Sequence, residues 1–372
     1  MAPPRKKTTL GFPVFAVTWT PSRHRVAIGG GGGPTKAGVK NAMILYDVDP
    51  NTLDVKPVTE QLFGKKDDGC MSIAVHPKEK AFIAGVNCPE EQMKAGQNEN
   101  CRVFFLKNKV FTAKGAHKTL DSTDPFFHQK ISRFTEDGKL LVTGNTDGKL
   151  SIWTWPDFKP AIPPIDHKGE IVDADFSPDG KQLVSVTANI CYVTNVSNAK
   201  TLWSIEKPVM KKTIKSEFRA SRFGVRASEG YLFLVINAKD RKRAFICKWQ
   251  VKGWKLHRQK AIGSKPVTAF TISKTGELLA FGAADLSVNV ISAKGLQTIY
   301  RIPNVHDFPL TALDFDPTGQ ILVSGSADGT VHVALVPPAS GNLYIIPIIL
   351  ILLFITGLLT YLAMLEDDNG EL

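Results

Sequence analysis

Short runs in which apolar and polar residues alternate recur along residues 9–335 of the chain. Side chains on a strand point alternately to its two faces, so a period of two predicts β-strands and argues against helix. One copy is Ala174-Asp175-Phe176-Ser177-Pro178-Asp179-Gly180-Lys181-Gln182-Leu183-Val184-Ser185-Val186. Others run from Ile131 to Trp153 and from Ala312 to Val333. Each holds an apolar run, a polar turn, a second run, a turn of small residues and, in the longer copies, a third run. The Asp-Gly pairs at Asp137-Gly138, Asp147-Gly148, Asp179-Gly180 and Asp328-Gly329 are hairpin turn chemistry.

Seven such windows begin near Phe15, Met71, Ile131, Val172, Ser221, Val267 and Leu310. The copy at Ser221 is degenerate, with Ser228-Glu229-Gly230 as its turn. The spacing averages about 47 residues, near the period of WD-type propeller blades. Fourth, outer strands fit between windows, as at Thr201-Leu202-Trp203-Ser204-Ile205 and Gln297-Thr298-Ile299-Tyr300-Arg301. The last window ends at Val336-Pro337-Pro338 without one, and Thr8-Thr9-Leu10 is placed to supply it and close the ring. Closure removes open sheet edges. A single period with no linker argues against two separate sandwiches. The expected fold is all-β: a seven-bladed WD-type β-propeller over residues 1–336, followed by one C-terminal transmembrane helix.

That helix is expected from residues 343–365, twenty-three positions without a charge, with Tyr344 and Tyr361 near the ends. A bilayer core takes about 20 apolar residues as helix, and tyrosines suit its interfaces. Residues 337–342 form a Pro/Gly/Ser tether, and 366–372 a short tail expected to be lumenal. The start, Met1-Ala2-Pro3-Pro4-Arg5-Lys6-Lys7, has no apolar core of a signal peptide. Five scattered cysteines suit a reducing compartment. The N-terminal part is therefore expected in the cytosol. The 20 residues before the span hold no Lys or Arg, so local charge adds nothing to this orientation.

The net charge is +11, and the last seven residues hold four of the 35 acidic side chains. Residues 1–342 thus carry 46 basic against 31 acidic groups, a net +15. Such a balance suits an acidic protein face or anionic lipid, or serves solubility alone. Clusters at Lys207 to Lys215 and at Lys239-Asp240-Arg241-Lys242-Arg243 read as solvated loops, with lipid headgroups as the second option. Basic residues are not interleaved with aromatics, so nucleic acid is not an expected partner.

One stretch departs from the blade pattern: Gly29-Gly30-Gly31-Gly32-Gly33-Pro34-Thr35-Lys36-Ala37-Gly38-Val39-Lys40-Asn41. Glycine loses more backbone freedom on ordering than any other residue. A run of five is either a loose loop or a backbone that must turn its peptide groups on something. It is no Walker A loop, since neither Ser nor Thr follows Lys36. It is no dinucleotide fingerprint, since the spacing fails and no helix follows. Carbonyls of Gly30, Gly31, Gly32, Gly33 and Gly38 could converge on a potassium ion, replacing its water shell. Val39, Lys40 and Asn41 would then project as a rigid tip, Lys40 toward a carboxylate or phosphate and Asn41 as donor and acceptor. Elsewhere, Cys88 and Cys101 lack a second ligand pair at metal spacing. His167, His306 and Asp307 occupy blade-entry positions that favour structural hydrogen bonds. No set of acid, base and nucleophile marks an enzyme, and no small-molecule substrate is expected.

The run Gly30-Gly31-Gly32-Gly33, two residues, Lys36, one residue, then Gly38-Val39-Lys40-Asn41 resembles the first-blade loop of the Sec-twelve exchange factors, called prolactin regulatory element-binding protein in animals. The resemblance spans the chain: propeller, single C-terminal segment, short end. It implies a non-covalent guanine-nucleotide exchange factor in the endoplasmic reticulum membrane. Such a factor releases GDP from a Sar-family small GTPase and starts COPII coat assembly. It also implies a potassium-holding loop whose terminal Asn matches Asn41 and whose preceding aliphatic residue matches Val39. The alternative is the plant-type branch, an exchange-inactive scaffold that assists export of membrane cargo.

Overall fold

The computed structural model describes residues 3–22, 24–34, 38–208, 214–337 and 351–359. The chain divides into two compact units, Met1–Pro337 and Pro338–Leu372. In the first, the strands form seven four-stranded antiparallel sheets. These are the blades of a WD-type propeller.

The N-terminal strand β1 (Arg5–Thr9) precedes the first blade, which is β2 (Val14–Trp19), β3 (Arg25–Gly30), β4 (Ala42–Val48) and β5 (Val55–Leu62). The inner strands of the next six are Ser72–Val75, Gln129–Phe134, Asp173–Phe176, Ser216–Phe223, Val267–Ile272 and Leu310–Phe315. Every window read from the sequence is a blade. The degenerate fifth begins at Ser216, five residues before Ser221, because a register shift between Phe218 and Ala220 hides its alternation. The seventh blade takes its outer strand from the N-terminus: β1 pairs with Thr330–Leu335, Arg5 opposite Ala334 and Thr9 opposite Thr330.

Burial follows position within the blade. Second strands such as Leu278–Ala283 and Ile321–Ser326 are buried throughout, because neighbouring blades cover both faces. Outer strands such as β5 alternate between half-buried and exposed. Each buried Phe or Leu, as at Phe281 and Leu279, contributes about 1.5–3 kcal/mol relative to exposure. The Asp-Gly turns work as their chemistry requires. Asp137, Asp147 and Asp179 each accept a hydrogen bond from the backbone N–H two residues on, at 3.0, 3.0 and 3.1 Å. Carboxylates also tie blade to blade: Asp314 accepts from the Trp19 N–H at 3.1 Å, and Asp175 from Phe223 at 2.8 Å and Arg133 at 3.1 Å.

The blade-entry histidines are structural. His306 reaches the hydroxyls of Thr330 at 2.8 Å and Ser324 at 2.9 Å, and His167 reaches Ser185 at 2.8 Å. Burial pushes both His306 and His332 down to about 4 from 6.5. A depressed histidine folds neutral, so its contribution is present above pH 6.5 and is lost as pH falls toward 4. Thermal unfolding of the chain should show a stability loss on the order of 2 kcal/mol per histidine by pH 5. A His332→Gln variant should have a flatter profile between pH 6.5 and 5.

Antiparallel order fixes two faces. The connections from second to third strand and from one blade to the next emerge on one side, here the loop face. The turns from first to second and from third to fourth strand emerge on the other, the turn face. The glycine-rich segment joins β3 to β4 and so lies on the loop face. So do the described residues of the two basic clusters: Lys207 and Lys215, in the connection between the fourth and fifth blades, and 239–243. The third strand of the last blade ends at Leu335, on the turn face.

In the second unit, residues 351–359 are helical. No helix among the described residues is long and apolar enough to cross a membrane. The remainder of the expected span, 343–350 and 360–365, lies outside the described residues, as does the tail.

Candidate functional site

The glycine run divides into a fixed limb and an outer part. Gly29, Gly30 and Gly31 are buried. A Cβ on Gly29 would stand 2.7 Å from Cys70 Sγ and Ile73 Cδ1, and one on Gly30 would stand 1.9 Å from the Pro13 carbonyl oxygen. The chain needs glycine here because the second blade and the segment entering β2 press against its backbone. Gly31 donates to the Pro13 carbonyl at 2.9 Å, and the Gly30 carbonyl accepts from Cys70 N–H at 3.2 Å. Gly31 has φ +148°, and a Cβ there would meet Asn41 Oδ1 at 2.2 Å.

Asn41 is the hub. It is 4% exposed. Its Oδ1 accepts from the Gly33 N–H at 2.9 Å, and its Nδ2 donates to the Asp67 carbonyl at 2.8 Å and the Gly64 carbonyl at 3.4 Å. Its own carbonyl accepts from Phe63 N–H at 2.9 Å. The side chain therefore locks the glycine run to the connection between the first and second blades. It does not project, as the sequence reading expected. A primary amide has both a donor and an acceptor, and here both are used inward. Asp67 continues the chain of contacts. Its carboxylate accepts from Gly64 N–H at 2.8 Å and from Arg102 Nη1 at 2.8 Å. Arg102 lies 5.4 Å from the Phe63 ring centroid.

Val39 is half-buried against the core of the first blade, which includes Phe12. Lys40 is exposed, pairs with Glu60 of β5 at 2.9 Å and lies 5.6 Å from the Phe12 ring centroid. The described outermost residues of the loop are Pro34 and Gly38, both exposed. Lys36 lies outside the described residues. Among the described residues no hydrogen bond reaches the carbonyls of Gly31, Gly32, Gly33 or Gly38. Beside them, the Asp68 Oδ1 would lie 3.3 Å from a Cβ on Gly33, and burial raises this carboxyl above its usual range. No group of three or more His, Cys, Asp or Glu poised to hold a metal occurs among the described residues.

Two side chains flank this site on the loop face. Phe126, entering the third blade, is 87% exposed, and Phe308, entering the seventh, is 58% exposed. Exposed aromatics on polar loops are a signature of contact surfaces.

A family model described as "WD domain, G-beta repeat" matches residues 128–154 and 297–333. "SEC12-like protein 2" of Arabidopsis thaliana is 26% identical over 278 residues, covering 73% of this chain and 66% of that protein. "Guanine nucleotide-exchange factor SEC12" of Mus musculus is 26% identical over 338 residues, covering 79% of each. "Putative guanine nucleotide-exchange factor SED4" of Candida glabrata is 25% identical over 313 residues, covering 80% of this chain and 28% of that one. Over most of its length the chain is similar in sequence to proteins named SEC12 and SEC12-like.

Sequence reasoning found the glycine run and Asn41 but missed the groups that hold them. Asp67, Asp68 and Arg102 come from a charged connection and a neighbouring strand. The signal was there in Gly64-Lys65-Lys66-Asp67-Asp68-Gly69, a blade-to-blade connection that must lie beside the loop between second and third strands. Phe126 and Phe308 also carried a signal, each being a large apolar residue beside proline in a polar connection.

Proposed function

We propose that the chain is a guanine-nucleotide exchange factor for a Sar-family small GTPase, anchored in the endoplasmic reticulum membrane by residues 343–365, and that it starts COPII coat assembly. The observation that carries this reading is the Asn41-locked glycine loop on the loop face of a propeller similar in sequence to proteins named SEC12. The factor regulates a GTPase and makes no covalent bond. Its work is to bind the nucleotide-free state more tightly than the GDP-bound state, and the coupling is reciprocal, so incoming nucleotide displaces it.

The chain's own residues divide the task. Asn41 and Asp67 fix the loop's base before the partner arrives, which lowers the ordering cost of binding. Pro34 to Gly38 form the part that enters the partner. Lys40 is held by one exposed ion pair, worth about 0.2–1 kcal/mol, so it exchanges Glu60 readily for a partner carboxylate or phosphate. Phe126 and Phe308 supply apolar anchors at the sides, and the basic connections on the same face meet an acidic partner surface. The Gly30 carbonyl is taken by Cys70 N–H, but the carbonyls of Gly31, Gly32, Gly33 and Gly38, with Asp68 beside them, fit a potassium ion, which when bound would cross-link the two limbs of the loop.

The test is GDP release from the GTPase, followed by its tryptophan fluorescence, with the full chain in detergent micelles. Strong acceleration that weakens when potassium is replaced by sodium supports the exchange function and the ion. Acceleration unaffected by that replacement removes the ion and keeps the function. No acceleration by the folded chain overturns the proposal in favour of the scaffold. The double variant Phe126→Ala/Phe308→Ala should weaken capture of the nucleotide-free GTPase about tenfold or more, each buried aromatic being worth over 1 kcal/mol at a contact centre. Pull-down titrations would read this.

A further inference from the structure

On the turn face, between the fifth and sixth blades, lies a cleft of about 720 Å³. Its lining includes Tyr231, Lys248, His257, Arg258, Lys294 and Gln297, and no acidic side chain among the described residues. Lys248 is only 4% exposed. Its Nζ donates to the carbonyls of Ala293 at 3.0 Å and Lys294 at 3.1 Å, and lies 3.9 Å from the Tyr231 ring centroid. No carboxylate pairs with it among the described residues. Three half-buried arginines are paired with acids, Arg102 with Asp67, Arg133 with Asp175 and Arg222 with Asp173, whereas Arg219, like Lys248, donates to a backbone carbonyl. Burying an ammonium beside carbonyl dipoles and an aromatic ring, without a counter-ion, is costly. Here Arg258 adds its repulsion to burial, and together they hold the Lys248 ammonium below its usual range.

We infer that this cleft binds a phosphoryl-bearing anion. Lys248 supplies a desolvated positive charge at the floor, where Coulomb attraction is weakly screened. Arg258 offers the planar donor fork that matches phosphate oxygens, and Lys294 a mobile point charge. The Gln297 amide adds a neutral donor. A cleft of this volume holds more than one phosphate group, and the rings of His257 and Tyr231, packed on one another with centroids 5.3 Å apart, line it. Two sources share this chemistry: the headgroup of a phosphorylated inositol lipid, and free inorganic phosphate. The site is separate from the glycine loop, which emerges on the opposite face, so the inference does not depend on the exchange function.

The experiment uses the full chain in neutral phosphatidylcholine nanodiscs, titrated calorimetrically with soluble inositol trisphosphate and with inorganic phosphate. Saturable binding of either is expected, and Arg258→Ala/Lys294→Ala, two exposed positions, should weaken it about tenfold or more. Binding of the inositol phosphate that millimolar inorganic phosphate does not displace assigns the lipid source, and nanodiscs containing a phosphoinositide should then compete. Displacement by inorganic phosphate at its own dissociation constant assigns the free ion. Absence of saturable binding by both, or binding unchanged in the double variant at an unchanged melting temperature, overturns the proposal. GDP release should be the same for wild type and double variant, which separates this outcome from any failure of the exchange reading.

Discussion

Replacing Asn41 by alanine should remove most of the exchange stimulation and lower stability at the same time. The substitution deletes three side-chain hydrogen bonds, to Gly33 N–H, Asp67 carbonyl and Gly64 carbonyl. It leaves buried backbone groups without partners, at about 1–3 kcal/mol. The loop then samples many arrangements before it meets the GTPase, and the ordering cost falls on binding. GDP-release rates should drop about tenfold or more, since each 1.4 kcal/mol is one decade. Asn41→Asp is the sharper variant. A carboxylate still accepts from Gly33 N–H but sets its second oxygen against the Asp67 and Gly64 carbonyls, so one of the three bonds survives and the other two become repulsive contacts. If Asn41 instead acted by touching the GTPase, Asn41→Ala would lose activity with an unchanged melting temperature. Calorimetric unfolding beside the kinetic assay decides between positioning and contact.

The second large effect concerns the glycines. Gly30→Ala should destabilise the chain by about 3 kcal/mol or more, because the new Cβ would stand 1.9 Å from backbone oxygen of Pro13, which no side-chain rotation relieves. Gly38→Ala should behave differently. No atom of the described residues lies within 4 Å of a Cβ there, and its φ of +86° opposes a side chain, at about 1–3 kcal/mol of strain confined to the loop. Thermal unfolding should therefore shift strongly for Gly30→Ala and little for Gly38→Ala. Exchange should fall in both, in the first by loss of the native scaffold and in the second by a bent loop. Equal melting shifts in the two variants would refute the division into fixed limb and outer part.

The blades were legible in the chain because their determinants are local. Alternation, Asp-Gly turns and a missing outer strand after Val336 each occupy a few residues, and together they brought Thr8-Thr9-Leu10 forward as the closing strand, which the structure puts at Arg5–Thr9. The fifth blade was displaced by five residues because its register shift breaks the period. The glycine run was visible as an anomaly, but its mechanics were not. Whether Asn41 faces out or in depends on Asp67, 26 residues later, and on Arg102 from the second blade. Nothing in the spacing of the loop itself carries that information. The entropy argument pointed to an ion as the agent that orders the run. For Gly29 to Gly31 the close approach of Pro13, Cys70 and Asn41 already does so, which leaves an ion only the outer carbonyls to hold.

The pairing of β1 with Thr330–Leu335 also has a mechanical side. A pull on the chain beyond residue 336 acts along that strand, which is gripped on one edge by Ile321–Ser326 and on the other by Arg5–Thr9. Hydrogen bonds across antiparallel strands run perpendicular to them, so such a load shears many at once instead of peeling them one by one. A load directed along that strand is thus resisted by both of its edges together. Deleting residues 1–9 would leave one edge of that strand ungripped and should lower the force at which the last blade tears away.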